Sequence, residues 1–170
     1  KTLGLKQSKY IVLTMHRPKN VDEKTKLKEF IDEIVDSSNG YPIIFPIHPR
    51  TKKMISNLNI KADNLHFIDP LGYLEFNYLV KNSFCVITDS GGITEETTYV
   101  KIPCLTLRDN TERPETVTEG TNELVGTNPK NIKKALSKIF EGNWKEGSIP
   151  KFWDGKTSNR IVINILALNF

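Results

Sequence analysis

The chain has 170 residues, of which 38% are hydrophobic and 26% charged, the composition of an ordinary globular domain. This composition excludes disorder as the main state, and no apolar run approaches the ~18–20 residues that a membrane span requires. The formal net charge is +4, and its lysines are scattered along the chain without interleaved aromatic residues, which argues against a nucleic-acid-binding surface.

Short apolar strands alternate with amphipathic helices along the chain. Residues 10–13 predict a buried strand, and Asp22 is the expected N-cap of a helix that runs to about Ser38 and ends before Gly40. Further strands are predicted over 43–45, 65–68, 84–87, 104–107 and 123–125. Further helices are predicted near 54–58, over 73–81 and 92–99, from Pro129 as the first helical position, and around 161–166.

This alternation predicts an α/β fold. We expect a single doubly wound, Rossmann-like parallel sheet with helices on both faces, occupying residues 1–170 as one domain. In such sheets ligands bind at the carboxyl ends of the strands. The residues that directly follow each strand are therefore the candidates for function.

Basic side chains gather after the predicted strands. Four of the five arginines and two of the three histidines fall there, namely Arg17, Arg50, Arg108, Arg113, His16 and His48. Because the carboxyl ends of parallel strands meet at one edge, this set indicates an anion site. Taken singly, each residue also fits a solvated loop or a helix cap.

Ser90-Gly91-Gly92 lies between a buried strand and a helix. A glycine pair lets the backbone approach a ligand closely, and a helix start offers free N–H groups and about +0.5 of a charge. The segment therefore favours phosphate binding, but its spacing also fits a tight strand-to-helix turn. Glu96, one turn further on, would accept hydrogen bonds from ribose hydroxyls or would only stabilise the helix dipole.

The two cysteines, Cys85 and Cys104, lie inside apolar runs and lack disulfide or zinc spacing. We expect buried free thiols, no metal site and a cytoplasmic location.

Several segments together resemble one family, the non-hydrolysing UDP-N-acetylglucosamine (UDP-GlcNAc) 2-epimerases. The most specific pair is Asp89-Ser90-Gly91-Gly92-Ile93 with Arg108-Asp109 and Thr111-Glu112-Arg113-Pro114-Glu115. The other matching segments are Thr14-Met15-His16-Arg17 with Asn20-Val21, Pro46-Ile47-His48-Pro49, Leu74 with Phe76, Glu95-Glu96, Gly120-Thr121 and Leu124-Val125-Gly126.

The resemblance implies an isomerase of the glycosyltransferase-B type, with two Rossmann-like halves and an active site between them. This chain resembles the C-terminal, UDP-sugar-binding half, with the N-terminal domain absent. The family interconverts UDP-GlcNAc and UDP-ManNAc without a cofactor, by anti elimination of UDP and its re-addition. The resemblance further implies a homodimer as the full-length protein and a role in cell envelope polysaccharide biosynthesis.

Roles for individual residues follow from the matching motifs. The resemblance implies that His16 is catalytic and faces the diphosphate and sugar. The implied substrate-binding residues are Phe76 at the uridine, Ser90, Gly91 and Gly92 at the diphosphate, Glu96 at the ribose and Arg113 at a phosphate. Arg17 and His48 would belong to an effector site for a second UDP-GlcNAc.

Two departures from the family pattern limit these expectations. Where relatives read His-Arg-Arg-Glu-Asn, this chain has Pro18 and Lys19, which puts the effector contacts in question. The carboxylates proposed as acid and base in the family lie in the N-terminal half. Since the chain begins with Lys1 rather than Met, we expect a piece of a longer protein. Because the acid and base would lie in the other half, we expect this piece to be inactive alone.

Two other classes of function remain open at this stage. The chain could be the nucleotide-sugar-binding domain of a hydrolysing epimerase or of a glycosyltransferase-B-type glycosyltransferase. It could also be a regulatory domain that kept the fold, although such a module has no need of Ser90, Glu96 and Arg113.

Overall fold

Six parallel strands form the centre of the chain. A computed structural model describes residues 4–168 except 57, 59 and 61, and the backbone but not the side chain of Arg50. The strands are β1 (Ile11–Thr14), β2 (Ile43–Pro46), β3 (Leu65–Ile68), β4 (Cys85–Thr88), β5 (Cys104–Thr106) and β6 (Asn122–Leu124). They pair in the order β3-β2-β1-β4-β5-β6, so the direction of winding reverses between β1 and β4. This is the doubly wound arrangement that the sequence predicted.

Eight helices accompany the sheet in the described part of the chain. They are α1 (Pro18–Val21), α2 (Lys24–Ser37), α3 (Pro49–Ile55), α4 (Tyr73–Lys81), α5 (Gly91–Val100), α6 (Pro114–Thr118), α7 (Lys130–Phe140) and α8 (Thr157–Ala167). Helices α2 and α7 pack on one face of the sheet through residues such as Phe30 and Leu136. Helices α4 and α5 cover the other face, where Leu79 and Val86 share a second core.

The predicted helix boundaries were wrong at two starts. Asp22 closes the short helix α1, and Glu23 rather than Asp22 occupies the N-cap of α2. Pro129 is the N-cap of α7, one position before the first helical residue. The sequence reading also missed α1 and α6, because helices of four and five residues are too short to show a 3.6-residue period.

The last helix, α8, differs from the predicted helical cover. None of its described side chains is buried, and Ile161, Ile163 and Leu166 are 52%, 66% and 75% exposed. A contiguous apolar surface of this kind usually marks a contact with another protein surface.

Both cysteines are buried free thiols, as predicted. Burial raises the pKa of the Cys104 thiol to about 12, so it stays protonated at neutral pH. No helix among the described residues is long and apolar enough to cross a membrane.

Gly120, just before β6, occupies a tight backbone position between α5 and α6. A Cβ atom there would lie 2.5 Å from Thr98 Oγ1 and 2.6 Å from the carbonyl oxygen of Thr116. Since neither α5 nor α6 can move away without disturbing the sheet, only glycine fits between them.

We therefore expect Gly120→Ala to lower the free energy of unfolding by about 1–3 kcal/mol, because the added methyl group overpacks this contact. Denaturant unfolding measures the change. The matched control is Gly92→Ala, where the added Cβ meets no described atom within 4 Å. Equal losses in the two variants would contradict the packing argument.

Candidate functional site

A buried carboxylate organises the carboxyl edge of the sheet at the point where the winding reverses. Asp89 directly follows β4 and is 0% exposed. Its Oδ2 accepts hydrogen bonds from the backbone N–H groups of His16 at 3.1 Å and Arg17 at 3.0 Å, and from Asn20 Nδ2 at 3.2 Å. The loop after β1 is thus wrapped around an acid that follows β4. Sequence reading assigned Asp89 only to the binding motif, because only the strand order brings residues 16–20 to its side.

His16 is the imidazole that this carboxylate holds. Its Nδ1 lies 3.0 Å from Asp89 Oδ1, while the side chain remains 47% exposed. The hydrogen bond to Asp89 raises the pKa of His16 above its usual 6.5. Burial pushes the pKa of Asp89 upward, but hydrogen bonds from His16, Arg17 and Asn20 outweigh burial and leave it below 3.8.

The unusual Pro18 and Lys19 are accommodated by α1. Pro18 opens this helix, where its missing N–H costs nothing. Lys19 Nζ pairs with Asp109 Oδ2 at 2.7 Å and so joins α1 to the loop after β5. Between them lies a cleft of about 440 Å³, lined in part by Arg17 and Arg108.

The predicted phosphate segment lies at the start of α5. Ser90 is the N-cap, and Gly91 and Gly92 form the first turn. Within the described residues, the Ser90 hydroxyl makes no capping hydrogen bond and the first turn carries no acidic residue. Gly92 is exposed. The helix start therefore presents N–H groups and the positive end of the dipole toward solvent.

Arg108 is another charged residue of the site. The sequence placed it at the carboxyl edge of the sheet but gave it no individual role. Its side chain is 8% exposed, and its two terminal nitrogens contact the Glu112 carboxylate at 2.7 Å and 2.6 Å. The pair lies against Gly91, where an added Cβ would be 3.5 Å from Glu112 Oε2 and 3.7 Å from Arg108 Nη1. This hydrogen bonding lowers the pKa of Glu112 to about 2.

Arg113 and Glu96 are both connected with α5, the first through an ion pair and the second as one of its residues. Arg113 Nε pairs with Glu95 Oε1 at 2.6 Å, and the guanidinium is half exposed. Glu96 is half-buried beside α4, and its pKa is raised by burial, opposed by a hydrogen bond from Asn77 and increased further by Glu95. Glu96 thus belongs to the helix that begins with the phosphate segment, and Arg113, the N-cap of α6, is joined to that helix through Glu95.

The remaining predicted residues are not part of the first turn of α5 or of its ion pairs. Phe76 is half-buried and packs on the core between α4, α5 and the sheet, with Ile93 nearby. Arg17 turns toward β4, and its Nε donates to the carbonyl oxygen of Asp89 at 2.8 Å. His48 is exposed at the end of β2, on the same sheet edge. The side chain of Arg50 lies outside the described part of the structure.

Comparison with known proteins gives one consistent family. A family model for UDP-N-acetylglucosamine 2-epimerase matches residues 1–166. The UDP-N-acetylglucosamine 2-epimerase of Methanocaldococcus jannaschii is 45% identical over 162 residues, which cover 90% of this chain and 43% of that protein. The chain therefore spans less than half the length of this relative.

Solved structures give the same result. The crystal structure of the M. jannaschii enzyme in complex with UDP-GlcNAc and UDP superposes with a TM-score of 0.78 at 43% identity, covering 93% of this chain and 45% of that chain. A glycotransferase of kitacinnamycin, at 9% identity and a TM-score of 0.58 over 78% of this chain, shares the fold alone.

The His16–Asp89 pair predicts a bounded pH dependence of stability. The raised pKa of His16 adds stability that is complete below pH 6.5 and is lost as pH rises through the folded-state value. The lowered pKa of Asp89 adds stability that is present above pH 3.8 and is lost as pH falls through the folded-state value. The pair therefore stabilises the fold most between these two limits.

We expect the difference in free energy of unfolding between the wild type and His16→Gln to peak inside that window and to shrink on both sides. Urea unfolding across pH 3–9 measures it, and subtraction removes the titrations that both proteins share. A difference independent of pH would contradict the ion-pair assignment.

Proposed function

The chain belongs to the UDP-N-acetylglucosamine 2-epimerase family, and we propose that it is the UDP-binding, C-terminal half of an enzyme that interconverts UDP-GlcNAc and UDP-ManNAc. The observation that carries this proposal is the start of α5. Gly91 and the exposed Gly92 open its first turn, Arg108 lies against Gly91, and Arg113 is held to the same helix by Glu95. A diphosphate placed there would meet helix N–H groups and two guanidinium groups.

In this proposal each part of the ligand would have its own contact. Ser90, Gly91 and Gly92 would hold the diphosphate, with Arg113 on a phosphate oxygen. Glu96 would accept hydrogen bonds from the ribose hydroxyls. Phe76, at the adjoining edge of the core, would line the uridine pocket.

The chemistry proposed is elimination of UDP and its re-addition to the sugar. Negative charge develops on the departing diphosphate, so donors fixed before the reaction lower its barrier. The loss of one such donor in comparable sites costs about 3–4 kcal/mol. His16, held by Asp89 at the same sheet edge, would be the catalytic residue of this half and would face the diphosphate and the sugar. Arg17 and His48 would serve the second, effector molecule of UDP-GlcNAc.

A further half of the protein would complete the enzyme. The M. jannaschii relative is matched over only 43% of its length, and α8 carries an exposed apolar surface in this chain. We propose that α8 packs against the missing N-terminal half, which would supply the acid and base. The full-length protein would be a cytoplasmic homodimer that feeds cell envelope polysaccharide synthesis, and this chain alone would bind UDP without turnover.

Arg113→Ala should weaken UDP binding by about tenfold or more, because a charge-assisted hydrogen bond contributes ~1.5–3 kcal/mol. Calorimetric titration with UDP measures the affinity. Arg160→Ala is the matched control, since Arg160 is also paired with a carboxylate, Asp154 at 2.9 Å, but lies on α8. Absence of saturable UDP binding by the wild-type chain would refute the proposed function.

Ser90→Asp should also weaken UDP binding, since a carboxylate at the N-cap would repel a diphosphate at the start of α5. Ser90→Ala should bind UDP more tightly than Ser90→Asp and should unfold at nearly the wild-type denaturant concentration. An aspartate variant that binds UDP as well as the alanine variant would remove the diphosphate from this helix start.

A further inference from the structure

The contact between Asp89 and His16 resembles no ordinary surface ion pair, because one partner is completely buried and the other is half exposed. We propose that Asp89 is a positioning residue that holds the His16 ring through Nδ1 and thereby commits Nε2 to the bound diphosphate. The identity of the ligand rests on the proposed function, whereas the ring orientation rests on the contacts alone.

The carboxylate of Asp89 is fixed from several directions. Oδ1 lies 3.0 Å from His16 Nδ1 and accepts from the His16 backbone N–H at 3.2 Å. Oδ2 accepts from the backbone N–H groups of His16 and Arg17 and from Asn20 Nδ2. Since rotation of the carboxylate would break these contacts together, the acceptor facing Nδ1 is held in place.

A fixed acceptor determines the tautomer of the imidazole. A carboxylate can only accept, so the neutral ring must carry its proton on Nδ1. The lone pair then stands on Nε2, on the other side of a ring that is 47% exposed. When the ring is protonated, Nε2–H becomes a donor toward solvent or ligand while Nδ1–H keeps its bond to Asp89.

The neighbouring charges favour the protonated ring. Asp89 attracts the imidazolium, and its effect on the pKa of His16 outweighs the opposing charge of Arg17. The positive charge of Arg108 is attracted to the same carboxylate, that of Asp89. A diphosphate at Nε2 would add a second anion on the opposite side of the ring. His16 would then donate from Nδ1 to Asp89 and from Nε2 to a phosphate oxygen, with no proton transferred.

A purely structural role for Asp89 is separable from this positioning role. Asn20 belongs to the same group of contacts, because its Nδ2 donates to Asp89 Oδ2. The same Nδ2 also donates to the carbonyl oxygen of Leu107 at 3.1 Å. Asn20→Ala removes two hydrogen bonds from the loop but leaves the Asp89 contact to the ring. Asp89→Asn keeps the size of the side chain and removes its charge. The two variants therefore weaken the same loop, and only the second changes the partner of Nδ1.

The experiment is nitrogen-15 NMR of the histidine rings in the ligand-free chain, with His16 assigned from His16→Gln. The wild type should show the Nδ1–H tautomer and a pKa above 6.5. Asn20→Ala should keep both properties despite lower stability. Asp89→Asn should populate the Nε2–H tautomer and lower the pKa. If Asp89→Asn does not fold, the wild-type tautomer still decides, because an Nε2–H ring in the wild type overturns the proposal.

Titration of UDP into the same sample tests whether His16 Nε2 contacts the bound diphosphate. We expect the Nε2 resonance of His16 to shift, the Nδ1 resonance to stay, and Asp89→Asn to bind UDP about tenfold more weakly, as for loss of one charge-assisted bond. If UDP binds and Nε2 does not respond, the positioning proposal is wrong and the proposed function stands. If UDP does not bind while the Nδ1–H tautomer is present, the proposed function is wrong and the ring assignment stands.

Discussion

The burial of one carboxylate, that of Asp89, is the constraint on which the site depends. A carboxylate removed from water costs several kcal/mol unless donors surround it, so the loop after β1 must stay wrapped around the end of β4. The donors come from His16, Arg17 and Asn20, which belong to that loop and its short helix. The same contacts that satisfy the acid therefore fix the imidazole, direct Arg17 toward β4 and close the gap between two strands that are distant in sequence. The need to satisfy this buried carboxylate therefore determines both the conformation of the loop after β1 and the orientation of the His16 ring.

Around this centre, the ligand-free chain balances its own cations. Arg108 is held by Glu112, and Arg113 by Glu95, while the start of α5 is left with its N–H groups turned toward solvent. The Arg113–Glu95 pair is exposed and contributes little to stability, so in the proposed complex a phosphate would replace the carboxylate at small cost. Arg108 is different, because its side chain is buried and gripped at two nitrogens. It holds Glu112, and with it the backbone next to Arg113, in place before any ligand arrives.

The sequence predicted the fold well because the helices α2, α4 and α7 and the strands carry apolar residues at regular spacing. It missed α1 and α6, which are too short for a period to be visible. It also treated the last helix as ordinary cover, because an apolar stripe looks the same whether it faces its own sheet or another surface. Family motifs marked Ser90 and Arg113, whereas the importance of Asp89 follows from strand order, which brings residues 73 positions apart into contact. Periodicity contains no such long-range information.

Under the proposed function, the exposure of the site would make this chain alone poorly suited to catalysis. His16 and Arg113 are each 47% exposed, and the Glu112 carboxylate is 59% exposed. In water-filled surroundings the interaction of a unit charge with a developing anion at 4 Å is about 1 kcal/mol, and it grows several-fold when the site is partly shielded. Donors aimed at a departing diphosphate therefore gain most of their effect only when a second surface excludes water. In the proposed enzyme, the exposed apolar side chains of α8 would offer an attachment for such a surface, so the helix that adds least to the core of this chain would hold the half that supplies the acid and base.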